Sequence, residues 1–155
     1  MKGNDFERSI AKKFTEWWGT PFKKMPASGG LNWASEWHFA GDVLTNDEHF
    51  PFIVECKKHE EWSGLHVVFS ADSCFWKWWD QAAEKAAEEE GKEPLLIFAK
   101  NRHPVMVAME WDSFMRGGSK ITKMIWTSRE EGVIIIICLL DDLLTKTAPE
   151  SWRKK

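Results

Sequence analysis

Gly41-Asp42-Val43-Leu44, a polar turn at Thr45-Asn46-Asp47-Glu48-His49, then Phe50-Pro51-Phe52-Ile53-Val54-Glu55-Cys56-Lys57-Lys58: this stretch decides the fold. Two apolar runs rich in β-branched and aromatic residues flank turn formers, the pattern of a hairpin. The spacing predicts strands at 37–44 and 50–58, with Pro51 tolerated only at an edge or a strand's first residue. Glu55 and Lys57 are two apart on a strand and so share a face. The hairpin brings Asp42 beside Glu55. Two carboxylates that close repel each other, and a sheet interior does not tolerate them alone. A hard divalent cation relieves the repulsion, and Mg²⁺ prefers one or two carboxylates plus water and phosphate oxygens. The backbone carbonyl of Cys56 is a further candidate ligand. Lys57 then reaches a bound water or a scissile phosphate, where an ammonium steadies developing charge.

Working outward, residues 5–18 read as a helix with Asp5 as N-cap and Phe6, Ile10, Phe14 and Trp17 as one apolar stripe. At about 100° per residue, Glu7 falls inside that stripe while Arg8, Lys12 and Glu16 lie opposite. An inward carboxylate costs several kcal/mol unless something pairs with it. Residues 20–35 and 59–72 read as irregular. A helix is predicted over 73–90, with Phe75, Trp79, Ala82, Ala83 and Ala86 on one face and Gly91 as its stop. Strands follow at 94–100 and 105–109, then a short helix at 110–116 and a buried strand at 133–140. A last helix and a charged tail close the chain. The order implies an α/β protein: a central mixed β-sheet flanked by helices.

The chain has 155 residues and a mass of 18.0 kDa, the size of one domain, and 43% of its residues are apolar, enough for a sizeable core. A single domain spanning 1–155 is expected. No apolar run approaches the roughly 20 residues that span a bilayer, so no membrane partner is expected. The charged start predicts no secretory signal, and three cysteines without a CxxC predict neither disulfides nor zinc. A cytoplasmic protein is the expectation, in a host's cytoplasm if the chain is viral. The net charge of −3 argues against a simple electrostatic nucleic-acid binder. It hides a pattern, however: 1–33 carries six basic against three acidic groups, 34–92 five against thirteen, and 93–155 ten against eight. Basic segments therefore flank an acidic middle.

Glu-x-Lys alone is a weak signal, and it recurs at Glu90-Gly91-Lys92 with no apolar strand ahead of it. A surface set of cross-strand ion pairs would also account for Asp42, Glu55 and Lys57. The strand setting and the inward Glu7 favour a catalytic set. Glu7 also suits a helix's first turn through the macrodipole, which explains its position but not its phase.

These residues resemble the catalytic motif of the PD-(D/E)xK nuclease superfamily, with Gly41 where the motif's proline would be, a common variation. Gly3 and Phe6-Glu7-Arg8 resemble the start of archaeal-type Holliday junction resolvases. Pro26-Ala27-Ser28-Gly29-Gly30 is similar to their serine-bearing loop, and Trp78-Trp79-Asp80-Gln81-Ala82 to their aromatic-plus-glutamine helix. The resemblance covers about residues 3–110, and 111–155 reads as an extension of the same domain.

The resemblance implies a restriction-endonuclease-like core and a Mg²⁺-dependent endodeoxyribonuclease (Mn²⁺ as substitute). It implies two ions at Asp42 and Glu55, with Glu7 contributing and Lys57 as base or charge stabiliser. Ser28 would contact the substrate or position the metal centre. It further implies a homodimer that makes paired incisions in four-way DNA junctions during recombination or repair, leaving 5′-phosphate and 3′-hydroxyl ends, with no organic cofactor. A nuclease of the same superfamily acting on flaps, ends or duplex sites is one alternative. A catalytically silent DNA-binding module is another, and the intact Asp42, Glu55 and Lys57 argue against it. Lys23, Lys24, Ser28, Gln81 and Arg102 are the candidate DNA contacts. Trp17, Trp18, Trp76, Trp78 and Trp79 are assigned to the core or a dimer interface, and Trp33, Trp37 and Trp62 to the neighbourhood of DNA.

Overall fold

The computed structural model describes residues 3–26, 41–60, 64, 73–117, 120–129 and 131–153. The described strands form one seven-stranded sheet. In chain order the elements are α1 (Gly3–Trp18), β1 (Phe22–Lys24), β2 (Val43–Thr45), β3 (Phe52–Lys58), α2 (Cys74–Ala87), β4 (Glu93–Ala99), β5 (Met106–Glu110), α3 (Trp111–Gly117), β6 (Met124–Thr127), β7 (Ile135–Leu139) and α4 (Leu140–Lys146). A 3₁₀ turn, Pro149–Ser151, follows. The sheet order is β1-β2-β3-β4-β5-β7-β6. Only β3 and β4 are parallel, and α2 is the crossover between them. The remaining neighbours are antiparallel. This is the mixed α/β sheet expected from the sequence.

Alternation along β3 sorts its side chains into two layers. Phe52, Val54 and Cys56 join Phe6, Ile10, Phe14 and Trp18 of α1, Phe114 of α3, Leu143 of α4 and Trp152 in one core. On the other face, Phe75, Trp76, Trp78, Trp79 and Ala82 of α2 pack on Leu96, Phe98, Ala108, Ile135 and Ile137. Four of the five tryptophans assigned to the core or a dimer interface are buried in these layers, and Trp17 packs half-buried against the first. None of the described helices is long and apolar enough to cross a membrane.

Several boundaries differ from the sequence reading. α1 begins at Gly3, so Asp5 lies in its first turn, paired with Arg8 at 3.7 Å, rather than capping it. Phe22–Lys24, read as loop, forms the edge strand β1, because Phe22 is drawn under Phe14 and Phe50 and its backbone pairs with β2. α2 ends at Ala87, four residues before Gly91. β6 was not anticipated: its four residues include the exposed Trp126 and carry little apolar alternation. Ser28, Trp33, Trp37, Trp62 and residues 37–40 of the first predicted strand lie outside the described residues.

Candidate active site

Val43 pairs with Val54 in antiparallel register, so Asp42 falls opposite Glu55, one step along the ladder. Gly41 makes that placement possible. Its φ of +99° lies where only glycine is at ease, and a Cβ there would stand 2.7 Å from the Val54 carbonyl oxygen. Proline, locked near −65°, cannot take this conformation. Gly41 is therefore not a stand-in for the motif's proline on an unchanged backbone. Asp42 is then tied down on three sides. Its N–H donates to Val54 O at 2.7 Å, its carbonyl accepts from the Met25 N–H at 2.8 Å, and its Oδ2 accepts from the Cys56 N–H at 2.8 Å.

Glu55 is 1% exposed. Its Oε2 lies 4.0 Å from Lys57 Nζ, and its Oε1 accepts from Lys85 Nζ of α2. Burial pushes the Glu55 carboxyl above its ordinary range, and the Asp42 charge pushes it further, against the pull of Lys85 and Lys57. Glu7 belongs to the opposite layer and meets the cluster from the α1 side. Burial raises its carboxyl too, with Asp42 and Glu55 adding to the rise and Lys24 and Lys57 opposing it. The half-buried Glu7 thus joins the negative cluster as the helical phase predicts. Burial pushes the Cys56 thiol up as well, with Asp42, Glu7 and Glu55 all contributing, so the cysteine sits amid the three carboxylates as a neutral spacer.

Five of the predicted site residues are therefore brought together: Glu7, Asp42, Glu55, Cys56 and Lys57. Lys24 is near enough to act on Glu7, on the same face of β1 as Phe22. Lys23 points to the other face and is exposed. Gln81 is exposed on α2, one turn before Lys85. Arg102 stands apart from the carboxylates in the β4–β5 turn, which closes with His103 N–H to Lys100 O at 3.1 Å. It is the one described non-glycine residue with positive φ, 66°. His59, read as a loop histidine, stacks on Trp78 with centroids 5.2 Å apart.

Lys85 was missed. The available signal was its position four residues after Gln81, on the helix that crosses over the Glu55 face of β3. Among the described residues no three His, Cys, Asp or Glu side chains converge tightly enough to enclose an ion. Lys85 and Lys57 flank Glu55, and the Cys56 amide holds Asp42. The donor set nonetheless suits a hard cation: oxygen ligands only, a buried carboxylate facing another, and an ammonium already seated on one of them.

The half-buried Asp42 faces the buried Glu55 across β2 and β3, with Lys57 two residues on, the arrangement that the PD-(D/E)xK resemblance implies. The family described as "Phage putative PDDEXK endonuclease" matches residues 1–154, and the chain belongs to that family. Among solved structures, the chain is similar to a Holliday junction resolvase, Hjc, from the archaeal hyperthermophile Archaeoglobus fulgidus. The identity is 16%, 95% of each chain is covered, and the TM-score is 0.37. A comparison with curated proteins gave no match.

Proposed function

We propose that the protein is a divalent-metal-dependent DNA endonuclease acting on branched DNA, with four-way junctions as its preferred substrate. The observation that carries the hydrolytic part is the register that sets Asp42 against Glu55, with Lys57 on the same face. Membership of a PDDEXK endonuclease family supports it. Glu7 at the cluster, matching the opening of junction resolvases, favours the branched substrate.

In this reading Asp42, Glu55 and the Cys56 carbonyl hold Mg²⁺ or Mn²⁺, one or two ions, and Glu7 acts as a further ligand or through water. A bound ion would make a coordinated water more acidic than bulk water and would offset charge on the phosphate. The chain's own residues do the rest. The Cys56 amide fixes Asp42, so the carboxylate needs no reorganisation when substrate arrives. Lys57, 22% exposed, offers its ammonium to the attacking water or the phosphate oxygens. Glu7 orients water from the α1 side. Lys23, Lys24, Gln81 and Arg102 track the DNA backbone, and Ser28 adds a substrate contact. An arginine in a left-handed conformation that glycine would adopt more easily supports a use for the Arg102 side chain. A homodimer would set two sites on two strands of one junction. The expected compartment is the cytoplasm, a host's if the chain is viral.

The test is cleavage of a synthetic four-way junction, linear duplex and flap at equal concentration, with and without Mg²⁺. Junction cut at least about tenfold faster than duplex supports the substrate assignment, a margin of about 1.4 kcal/mol in transition-state binding. Equal rates on all three would leave a nuclease without junction preference.

A further inference from the structure

Glu55 is the most deeply buried charge of the site, and one of the two cations that meet it is absent from the sequence motif. Lys85 leaves α2 with 40% of its side chain exposed, yet its ammonium turns onto Glu55 Oε1. Lysine ordinarily keeps its charged head in water and buries only its stem. Here the head goes inward. Lys57 stands 4.0 Å from the other oxygen, Oε2. Two ammoniums from two layers thus divide one carboxylate, and with Asp42 opposite they balance the buried charge. The nearer of the two is Lys85, not the motif lysine. It occupies Oε1, one of the two oxygens through which Glu55 can hold an ion.

Building on the metal-dependent reading above, we propose that Lys85 is a positioning residue that holds Glu55 Oε1 in the place a divalent cation takes. Lys85 and the cation therefore compete for that oxygen. Without metal, Lys85 keeps a buried carboxylate neutralised and aimed across the sheet. When metal enters, the ammonium is released toward solvent on the face of α2 that carries Gln81. The site is thereby kept assembled while empty, at the expense of metal affinity.

Mn²⁺ titration calorimetry on the full chain at neutral pH tests this with Lys85→Met, Lys85→Arg and Asp42→Asn beside the wild type. Lys85→Met is expected to bind Mn²⁺ about tenfold more tightly, a usual size for coupling between two ligands. Lys85→Arg, which restores the cation, is expected to return affinity toward the wild-type value. A purely structural lysine would give equal or weaker Mn²⁺ binding in Lys85→Met, and that result overturns the competition. Asp42→Asn is expected to lose Mn²⁺. If it binds as the wild type does, the metal-site reading itself fails and takes the competition with it. Lys85→Met strips a buried carboxylate of a partner and endangers folding, so the wild type provides a second readout. Acetylation of Lys85, followed by peptide mass spectrometry, is expected to quicken several-fold on adding Mn²⁺, and an unchanged rate overturns the proposal.

Discussion

Gly41 shows how much of this site rests on a single backbone angle. The sequence marked Asp42, Glu55 and Lys57 because strand periodicity and hairpin pairing are local rules, and the register places all three as those rules require. The same rules carry no information on φ. A glycine in the motif's proline position reads as a neutral exchange, whereas its φ of +99° excludes proline. A left-handed conformation costs a residue with a Cβ about 1–2 kcal/mol, and the Val54 carbonyl 2.7 Å from that Cβ forces a shift. Gly41→Ala is expected to displace Asp42 and lower the cleavage rate about 10²-fold, the usual effect of a misplacement near 1 Å, with every carboxylate intact. Single-turnover kinetics checks it, and a wild-type rate would show that Asp42 tolerates a different approach. Lys85 escaped the sequence reading for another reason. Its role depends on how α2 lies across β3, a tertiary relation that spacing does not encode.

At the scale of elements, α1 and α2 bring side chains to the β2–β3 pair from opposite layers, Glu7 from one and Lys85 from the other. Long, periodic elements were legible: α1, α2, β3 and β4 lie within a few residues of their predicted bounds. The three- and four-residue strands β1 and β6 were not, because so short a segment shows no periodicity and forms only by pairing with its neighbour. The C-terminal third gives the same lesson. Residues 111–155 lie beyond the stretch that resembles the resolvases, yet β7 lies between β5 and β6 and Trp152 closes the α1 core. The Trp152 indole donates to Ser113 O at 2.7 Å, meets Trp17 and Phe52 edge-on, and leaves no room for a side chain at Gly117. Trp152→Ala is expected to cost about 3–5 kcal/mol in urea unfolding, as large-to-small changes in a core do. A loss below about 1 kcal/mol would make this segment an appendage rather than core.

For the whole molecule, charge sets stability and function against each other. Burial and neighbouring carboxylates hold Glu7 and Glu55 above 4.5, their ordinary value. The folded state therefore binds these protons more tightly than the unfolded chain. Their contribution is complete below the ordinary glutamate range and fades as pH rises through the folded values. Two other carboxylates carry the opposite sign. Asp80 is held below 3.8 by hydrogen bonds from Arg129. Asp47 resists its partial burial through hydrogen bonds from Trp18, His49 and Arg153, and also lies below 3.8. What these two contribute is present at higher pH and is lost only as pH falls through their folded values. The metal-free protein is thus expected to gain thermal stability between neutral pH and about 5. At neutral pH, a divalent ion at about 100 times its dissociation constant is expected to add about 2.7 kcal/mol. Thermal melts with EDTA and with Ca²⁺ check both. A melting temperature that falls on mild acidification and ignores Ca²⁺ would mean that the carboxylates do not repel.

The most direct test of the account is Mg²⁺-dependent cleavage of a labelled four-way junction by Asp42→Asn beside the wild type, with junction binding measured on the same samples. Loss of the carboxylate charge is expected to lower the rate by at least about 10³-fold, or about 4 kcal/mol of transition-state stabilisation, while binding persists. Cleavage at the wild-type rate by Asp42→Asn would contradict the account, because hydrolysis would then occur without the acidic pair that β2 and β3 bring together.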